Sequence, residues 1–544
     1  MVKWLKNACF YEIYPQSFKD TNDDGIGDLN GIIEKLDYIK ELGCNALWIN
    51  PCFDSPFKDA GYDVRNYKLI APRYGTNEDA KRLFEEAHSK GIHVLLDLVV
   101  GHTSYEHEWF KKSALPEANE YSGRYIWTDD WLMGPKDLKG MAGMTDRNGV
   151  YIVNFFATQP ALNYGFLNPT ESWQQPTDSP DALATIEAVE DIMDFWLSMG
   201  CDGFRVDMAE SLVKHDNEKK SGTSAVWRNI TGWMKEKFPE AVMVSEWNNP
   251  TIAIPAGFDM DFMLNWHGNG YDLLMRDCSN TEPSPIFKKN SKRKINEFLD
   301  DYLYKYEAIK DAGKYCLITG NHDTQRLSYY LDETERKLAF AFILTMPGAP
   351  FIYYGDEVGM RYQAELINKE GGYTRTGSRT PMQWDTSLNM GFSGADSTKL
   401  YLPVDTREAA KRENVKAQME EKDSLYQTVR RLLELRKETP ELLEDNNLEF
   451  VYPKHSSARI NEQEEDGEMC RAFVYKRGDL MIFVNPDESC AQVPLEELST
   501  NCQNDESTWK NFESGKLFEL GSVAARDGKV ILKGQSFAAV KIKR

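Results

Sequence analysis

Short apolar runs alternate along this chain with stretches whose apolar positions recur every three or four residues. The runs span Phe10–Pro15, Ala46–Pro51, His93–Val100, Gly203–Asp207, Val242–Glu246, Asp259–Trp266, Tyr315–Asp323 and Pro350–Glu357. The first four are almost continuously apolar, the mark of strands covered on both faces. Between the runs the pattern turns helical. Leu29, Ile32, Leu36, Ile39 and Leu42 share one face of a predicted helix over Asp28–Leu42, which stops at Gly43. Asn77 is placed to cap Glu78–Lys90. Ser179-Pro180 is placed to open Asp181–Met199, with Ile186, Val189, Met193 and Trp196 in line. Eight buried strands with intervening helices close most simply as a (β/α)8 barrel.

Two connections are too long for ordinary loops. Thr103–Thr177, rich in Trp, Tyr, Gly and Pro, predicts a small domain inserted after the third strand. Val358–Glu421 follows the eighth. A last helix, Ser424–Leu443, leads through acidic Glu444–Asn447 to the strand-like runs Glu449–Val451, Cys470–Tyr475, Leu480–Asn485 and Val530–Leu532. The expected architecture is a barrel over 1–103 and 178–443, an inserted domain over 104–177, and a C-terminal antiparallel β-sandwich over 444–544.

Charge narrows the partners. The chain carries 64 basic and 86 acidic side chains, a net charge of −22, which repels nucleic-acid phosphate and suits a neutral, hydroxyl-bearing substrate. Its nine cysteines are odd in number and form no CxxC pair, so a reducing compartment is expected. The segment MVKWLKNACFYEIYPQSF has no apolar signal core. The longest apolar run, Leu338–Met346, is cut by Pro347, well short of the roughly 18 residues of a membrane span. These features predict a cytoplasmic protein without membrane or nucleic-acid partners.

The chemistry sits at the strand ends, where a barrel of this kind places its active site. The third run ends DLVVGH (Asp97, His102), the fourth GFRVD (Arg205, Asp207), the fifth VSE (Glu246) and the seventh GNHD (His322, Asp323). One such acid commonly caps the next helix. Four on different strands must converge on one mouth. A carboxylate that attacks an anomeric carbon, beside a carboxylic acid that protonates the departing oxygen, is what glycoside cleavage requires. In order and kind these motifs resemble the four core motifs of glycoside hydrolase family 13, the α-amylase family. QPALN (Gln159–Asn163) and GDEVGM (Gly355–Met360) resemble two further family motifs, while AGYDVRNY (Ala60–Tyr67) and RTPMQWD (Arg379–Asp385) resemble the oligosaccharide-active members.

The resemblance implies roles residue by residue. Asp207 corresponds to the nucleophile, Glu246 to the acid/base and Asp323 to the carboxylate that binds sugar hydroxyls. His102 and His322 correspond to imidazoles that hydrogen-bond the glucosyl ring. Tyr62 corresponds to its stacking platform, Asp63 to a hydroxyl-binding acid and Arg379 to the arginine paired with that acid. Arg205, two residues before Asp207, points the same way by strand alternation and would hold it ionised. Asp97 is expected to be structural. In DTNDDGIGD, Asp20, Asn22, Asp24 and Asp28 alternate around Gly25, with the Ile26 carbonyl available. That spacing resembles the first nine positions of a calcium loop, so one structural Ca2+ is expected. Met208 after the nucleophile matches neither the Val of α-1,6-specific nor the Thr of α-1,4-specific relatives. The implied activity is retaining hydrolysis of short malto- or isomalto-oligosaccharides. The alternative is a glucosyltransferase or isomerase of the same family, trehalose synthase-like or sucrose-active, which differs only in the acceptor.

Overall fold

The computed structural model describes residues 2–132, 134–266, 268–453, 471–498 and 512–542. Eight short strands lie within or at the edge of the eight apolar runs: β1 (Phe10–Ile13), β2 (Ala46–Ile49), β3 (His93–Leu98), β4 (Gly203–Val206), β5 (Val242–Ser245), β6 (Met260–Phe262), β7 (Lys314–Cys316) and β8 (Phe351–Tyr353). They pair in parallel in the order β7-β6-β5-β4-β3-β2-β1-β8. Ile318, just past β7, bridges Phe351 in parallel and joins the two ends, so the sheet closes as a barrel and leaves no open edge. The strands end before the polar tips of the runs. Asp207 and Glu246 are the first residues beyond β4 and β5, and their N–H groups continue the ladder to the carbonyls of Leu98 and Val206, which fixes both at the mouth.

Strand alternation fills the lumen in layers. Phe10 and Phe351 are register partners, and their rings stack at 4.2 Å. Phe262 meets Phe351 edge-on at 4.8 Å, and Trp48 lies over Phe262 at 5.4 Å. All four side chains are buried. This aromatic floor excludes water from the barrel and carries the charged layer above it, because the upper rim of Trp48 donates Nε1–H to Asp97 at 3.1 Å.

Several helix limits differ from the expectation. The helix over Asp28–Leu42 is two, Leu29–Glu34 and Leu36–Leu42, with a kink at Lys35. Its first turn is tied to the preceding loop, where Asp28 caps Gly31 and a Cβ on Gly31 would meet the Lys19 carbonyl at 2.1 Å. The next helix, Asn77–Ser89, is capped by Thr76 and not by Asn77, since Thr76 and Asp79 form a reciprocal capping box. Asn77 instead accepts from Ile70 N–H and donates to the Lys68 carbonyl. The last barrel helix stops at Glu438 and restarts at Pro440, as a proline that lacks an N–H dictates.

The insertion after β3 holds a hairpin, Gly140–Ala142 with Val150–Ile152, and its own small core of Ile126, Ile152, Ala161 and Phe166. Past Leu443 the chain forms two antiparallel sheets. One has five strands, β9 (Leu448–Tyr452), β10 (Phe473–Arg477), β11 (Leu480–Asn485), β13 (Lys516–Leu520) and β16 (Ser536–Lys541), in the order β9-β10-β11-β16-β13. The other orders β12 (Ala491–Pro494), β15 (Lys529–Leu532) and β14 (Val523–Arg526). Val474, Phe483, Val493 and Val530 share one buried cluster between them. Of the strand expected over Cys470–Tyr475, Cys470 lies outside the described residues.

If the aromatic floor carries the barrel, Phe351→Ala should cost about 3–5 kcal/mol, the usual cost of removing a buried aromatic ring. Denaturant unfolding of the purified variant checks this. A loss under about 1 kcal/mol would mean that the floor collapses without penalty.

Candidate active site

The carboxylates at the strand ends meet on one guanidinium. Arg205, on β4, is fully buried. Its Nη1 reaches Asp97 Oδ1 at 2.9 Å and Asp207 Oδ1 at 3.1 Å, while its Nη2 reaches Glu246 Oε2 at 2.7 Å. Glu246 Oε2 also accepts the Met208 N–H at 3.0 Å. That contact needs the chain to turn sharply after Asp207, and Met208 sits in the left-handed region at φ 44°, a strained position for a side chain of its size. Asp97 accepts in addition from the Tyr62 hydroxyl at 3.1 Å, so it braces the cluster from below.

A second group surrounds Asp323. Arg379 Nη2 and Arg375 Nη1 donate to Asp323 Oδ1 at 2.8 and 3.0 Å. His322 is buried beneath, with Nδ1 2.9 Å from Glu12 and Nε2 2.7 Å from the Tyr62 hydroxyl. The Tyr62 and His322 rings stack at 5.3 Å. His102 Nε2 donates to the Tyr62 carbonyl at 2.9 Å, which leaves Nδ1 to accept from Asn154 at 3.3 Å.

Together these residues form a cavity of about 220 Å3 lined by Tyr62, His102, Asp207, Glu246 and Asp323. This is smaller than the roughly 300 Å3 at which drug-sized ligand sites begin, and suits one sugar ring better than a chain. Asp59, Met208, Glu210, Leu264 and Arg375 complete the wall, and half-exposed Phe155 and Trp266 stand at the rim.

The expected partnership of Asp63 with Arg379 is not found. Asp63 is folded into its own loop, accepting from Lys58 N–H, Asp59 N–H and Ser55 Oγ, and it does not line the cavity. Arg379 is equally withdrawn, held by the His322 carbonyl and Asp323. The pair at the cavity is Asp59 and Arg375, whose Nη2 lies 3.4 Å from Asp59 Oδ1. Gln159 of the QPALN motif fixes Asp59 from the inserted domain at 2.8 Å. The turn between Phe53 and Tyr62 decides this. It points the residue three positions before Tyr62 into the mouth and the residue after Tyr62 back into the loop. Arg205 and His322 also lie beneath the cavity and not on its surface.

The charges divide by the cations available. Burial, and then the Glu246 charge, push the Asp207 carboxyl well above the usual carboxylate range, with Arg205 opposing. Burial would raise Asp323 too, but His322, Arg375 and Arg379 outweigh it and hold this carboxyl well below that range. Burial keeps His322 itself neutral, so the two guanidiniums carry the effect. Burial lifts Asp59 to about 6 against Arg375 and Gln159, and lowers His102 to about 4.

A closed parallel barrel with two neighbouring acids, Asp207 and Glu246, facing one sugar-sized cavity is the arrangement of a glycoside hydrolase. The family described as "Alpha amylase, catalytic domain" matches residues 12–445, and the chain belongs to that family, glycoside hydrolase family 13. It is 32% identical to an oligo-1,6-glucosidase of Heyndrickxia coagulans over 90% of this chain and 95% of that protein. It is also 32% identical to a trehalose synthase/amylase of Mycolicibacterium smegmatis, over 80% and 76% of the two chains. Among solved structures, an isomaltulose synthase variant of Erwinia rhapontici in complex with D-glucose has the same fold, with a TM-score of 0.79 at 24% identity over the full length of both chains.

If Asp59 and Arg375 form the working pair, Arg375→Ala should lower kcat/KM by about tenfold to a hundredfold, the ~1.5–3 kcal/mol of a charged hydrogen bond. Asp63→Asn should instead lower the melting temperature with kcat/KM nearly intact. Steady-state kinetics beside thermal melts of both variants distinguish the two, and the reverse outcome restores Asp63 to the site.

Proposed function

We propose that the chain is an exo-acting α-glucosidase, removing single glucose units from short malto- or isomalto-oligosaccharides with retention of configuration. The observation that carries this reading is the small cavity closed on one side by Asp59, Arg375 and Asp323. A non-reducing sugar ring entering it would find Tyr62 as platform and these charged groups as hydroxyl partners.

In the first step Asp207 Oδ forms a bond to the anomeric carbon as the glycosidic C–O bond breaks, and Glu246 gives its proton to the leaving oxygen. In the second, water attacks the same carbon, returns a proton to Glu246 and frees Asp207. The shared guanidinium suits this division. Once the proton of the pair sits on Glu246, its charge no longer lifts Asp207, and Arg205 then favours the free carboxylate. Asp323, ionised between its arginines, binds ring hydroxyls and opposes the positive charge that develops on the ring. His322 acts on the substrate through Tyr62 and Asp323, while His102 faces the cavity itself. Met208 and Glu210 lie where the leaving sugar would sit. Burial, then the Glu246 charge, lifts Glu210 to about 7, so it can donate as well as accept.

We also propose one structural Ca2+ in the loop Asp20–Asp28. The donors are all oxygens, as a hard cation demands. The loop is curled by its own side chains: Asp20 accepts from the N–H groups of Asn22, Asp23 and Gly25, Asn22 from Asp24, and Asp24 from Ile26. Gly25 holds the bend at φ 93°, with the Lys399 carbonyl where a Cβ would stand. Asp20, Asn22, Asp24, the Ile26 carbonyl and Asp28 would hold the ion, and Asp28 also caps the following helix. The ion would fix the loop without touching the reacting bond. No helix among the described residues is long and apolar enough to cross a membrane. The described cysteines are all free thiols, which supports the cytoplasm as its compartment.

Reducing-end-labelled maltoheptaose tests the exo reading. Glucose and labelled maltohexaose should appear first, whereas a spread of labelled mid-length fragments would overturn it. Transfer to a sugar in place of water would appear as isomers of the substrate in a panel of maltose, isomaltose, sucrose and trehalose. Asp207→Asn should keep the fold and lose several orders of magnitude in turnover; a folded variant retaining more than about a tenth of the rate removes Asp207 from its role. Calcium should raise the melting temperature of the wild type and not of Asp24→Ala. Equal melts of the two proteins with calcium and with chelator would exclude the site.

A further inference from the structure

At the other end of the barrel, away from the mouth, three side chains of metal-ligand type converge. His88 stands in the last turn of the helix Asn77–Ser89, His93 opens β3, and Asp202 immediately precedes β4. Asp202 Oδ2 lies 2.7 Å from His88 Nε2, and its Oδ1 lies 2.9 Å from His93 Nδ1. Among the described residues this is the one group of three His, Cys, Asp or Glu side chains whose ligand atoms all lie within 4.8 Å of one another. None of the three takes part in the mouth or in any step of glycoside cleavage.

The surroundings hold these groups in place. The Trp4 ring stacks on the His93 imidazole at 4.0 Å and 12°, fixing its plane, and Trp4 is itself anchored through Nε1 on the Glu240 carbonyl. Asp202 accepts the Val94 N–H at 2.8 Å, which aims the carboxylate at both rings. Asp202 is mostly buried, while the His88 side chain is 42% exposed and leaves the cluster open to water on that side. Two imidazoles and a carboxylate, oriented by neighbours and open at one position, form a ligand set for a borderline divalent transition ion.

We propose that His88, His93 and Asp202 form a second metal site, selective for Zn2+ or a similar transition ion over Ca2+. Imidazole nitrogen favours such ions, whereas Ca2+ takes oxygen donors. On binding, the nitrogen of each ring that faces Asp202 turns a lone pair to the ion while the other nitrogen carries the N–H: a neutral ring does this by exchanging tautomers, and a protonated ring by releasing one proton to solvent. Water fills the remaining position. The ion would tie the end of one helix to the starts of β3 and β4, on the barrel face where bonding serves stability and not chemistry. It would therefore change the melting temperature and leave turnover unchanged.

The test is calorimetric titration of the full chain with ZnCl2, kept saturated with CaCl2 so that the oxygen-lined loop does not compete. His88→Gln and His93→Gln are titrated beside it. His88 lies at the surface, so His88→Gln should fold as the wild type does, which its turnover on maltose confirms. The expected result is one Zn2+ per wild-type chain, affinity at least about tenfold weaker in either variant, and a zinc-dependent rise in melting temperature confined to the wild type. Equal uptake by wild type and variants, or no uptake by the wild type, would overturn the site and leave the cluster as a hydrogen-bonded fastening of the barrel floor.

Discussion

The mouth of this barrel depends on one buried guanidinium. Arg205 carries Asp97, Asp207 and Glu246 on its two terminal nitrogens, and no single partner neutralises it. Three carboxylates around one cation leave an excess of negative charge where water is scarce. Such an arrangement persists only because the strand ends fix it and because Asp97 and Glu246 have further donors in Trp48, Tyr62 and the Met208 N–H. Truncating Arg205 would leave several unpaired buried charges at once, a far larger penalty than the loss of any one acid. The aromatic floor of Phe10, Trp48, Phe262 and Phe351 is the counterpart of that cluster. It supplies the rigid, dry base on which Asp97 is pinned by Trp48.

The distribution of arginines also sets the division of labour among the acids. Asp207 shares Arg205 with two competitors, so burial and like charge lift its carboxyl. Asp323 has two guanidiniums close at hand and stays ionised. Carboxyl groups of one chemical kind, a few residues from the same floor, are thus driven in opposite directions by the number of cations each can claim. One site can therefore hold a permanent negative charge on Asp323 beside an Asp207–Glu246 pair that shares a proton.

The two ends of the barrel differ in kind. The C-terminal mouth contains strain at Met208 and crowded acids. The N-terminal end is stitched by complementary groups such as His88, His93 and Asp202. Concentrating unfavourable terms at one end is tolerable because the rest of the fold is cooperative and well packed.

Much of this was legible in the chain. Continuous apolar runs announce strands covered on both faces, and an acid at the end of each of several runs announces a mouth, since parallel strands in a closed sheet all end on the same side. Arg205 and Asp207 share a face through strand alternation alone. What the sequence could not settle was any choice made by a loop. AGYDVRNY contains an acid next to Tyr62, and only the folded turn shows that Asp63 bonds back into its own loop while Asp59 reaches the cavity. RTGSR offers two arginines four positions apart, and both prove to hold Asp323, one from behind and one from the cavity wall. The capping box at Thr76 was present in the letters, yet Asn77 competed with it until its side chain was seen spanning to Lys68 and Ile70. Periodicity determines strands and helices because it is local. The direction of a side chain in an irregular turn depends on partners far away in the chain, here Gln159 and Arg375 on Asp59, and only the tertiary structure decides it.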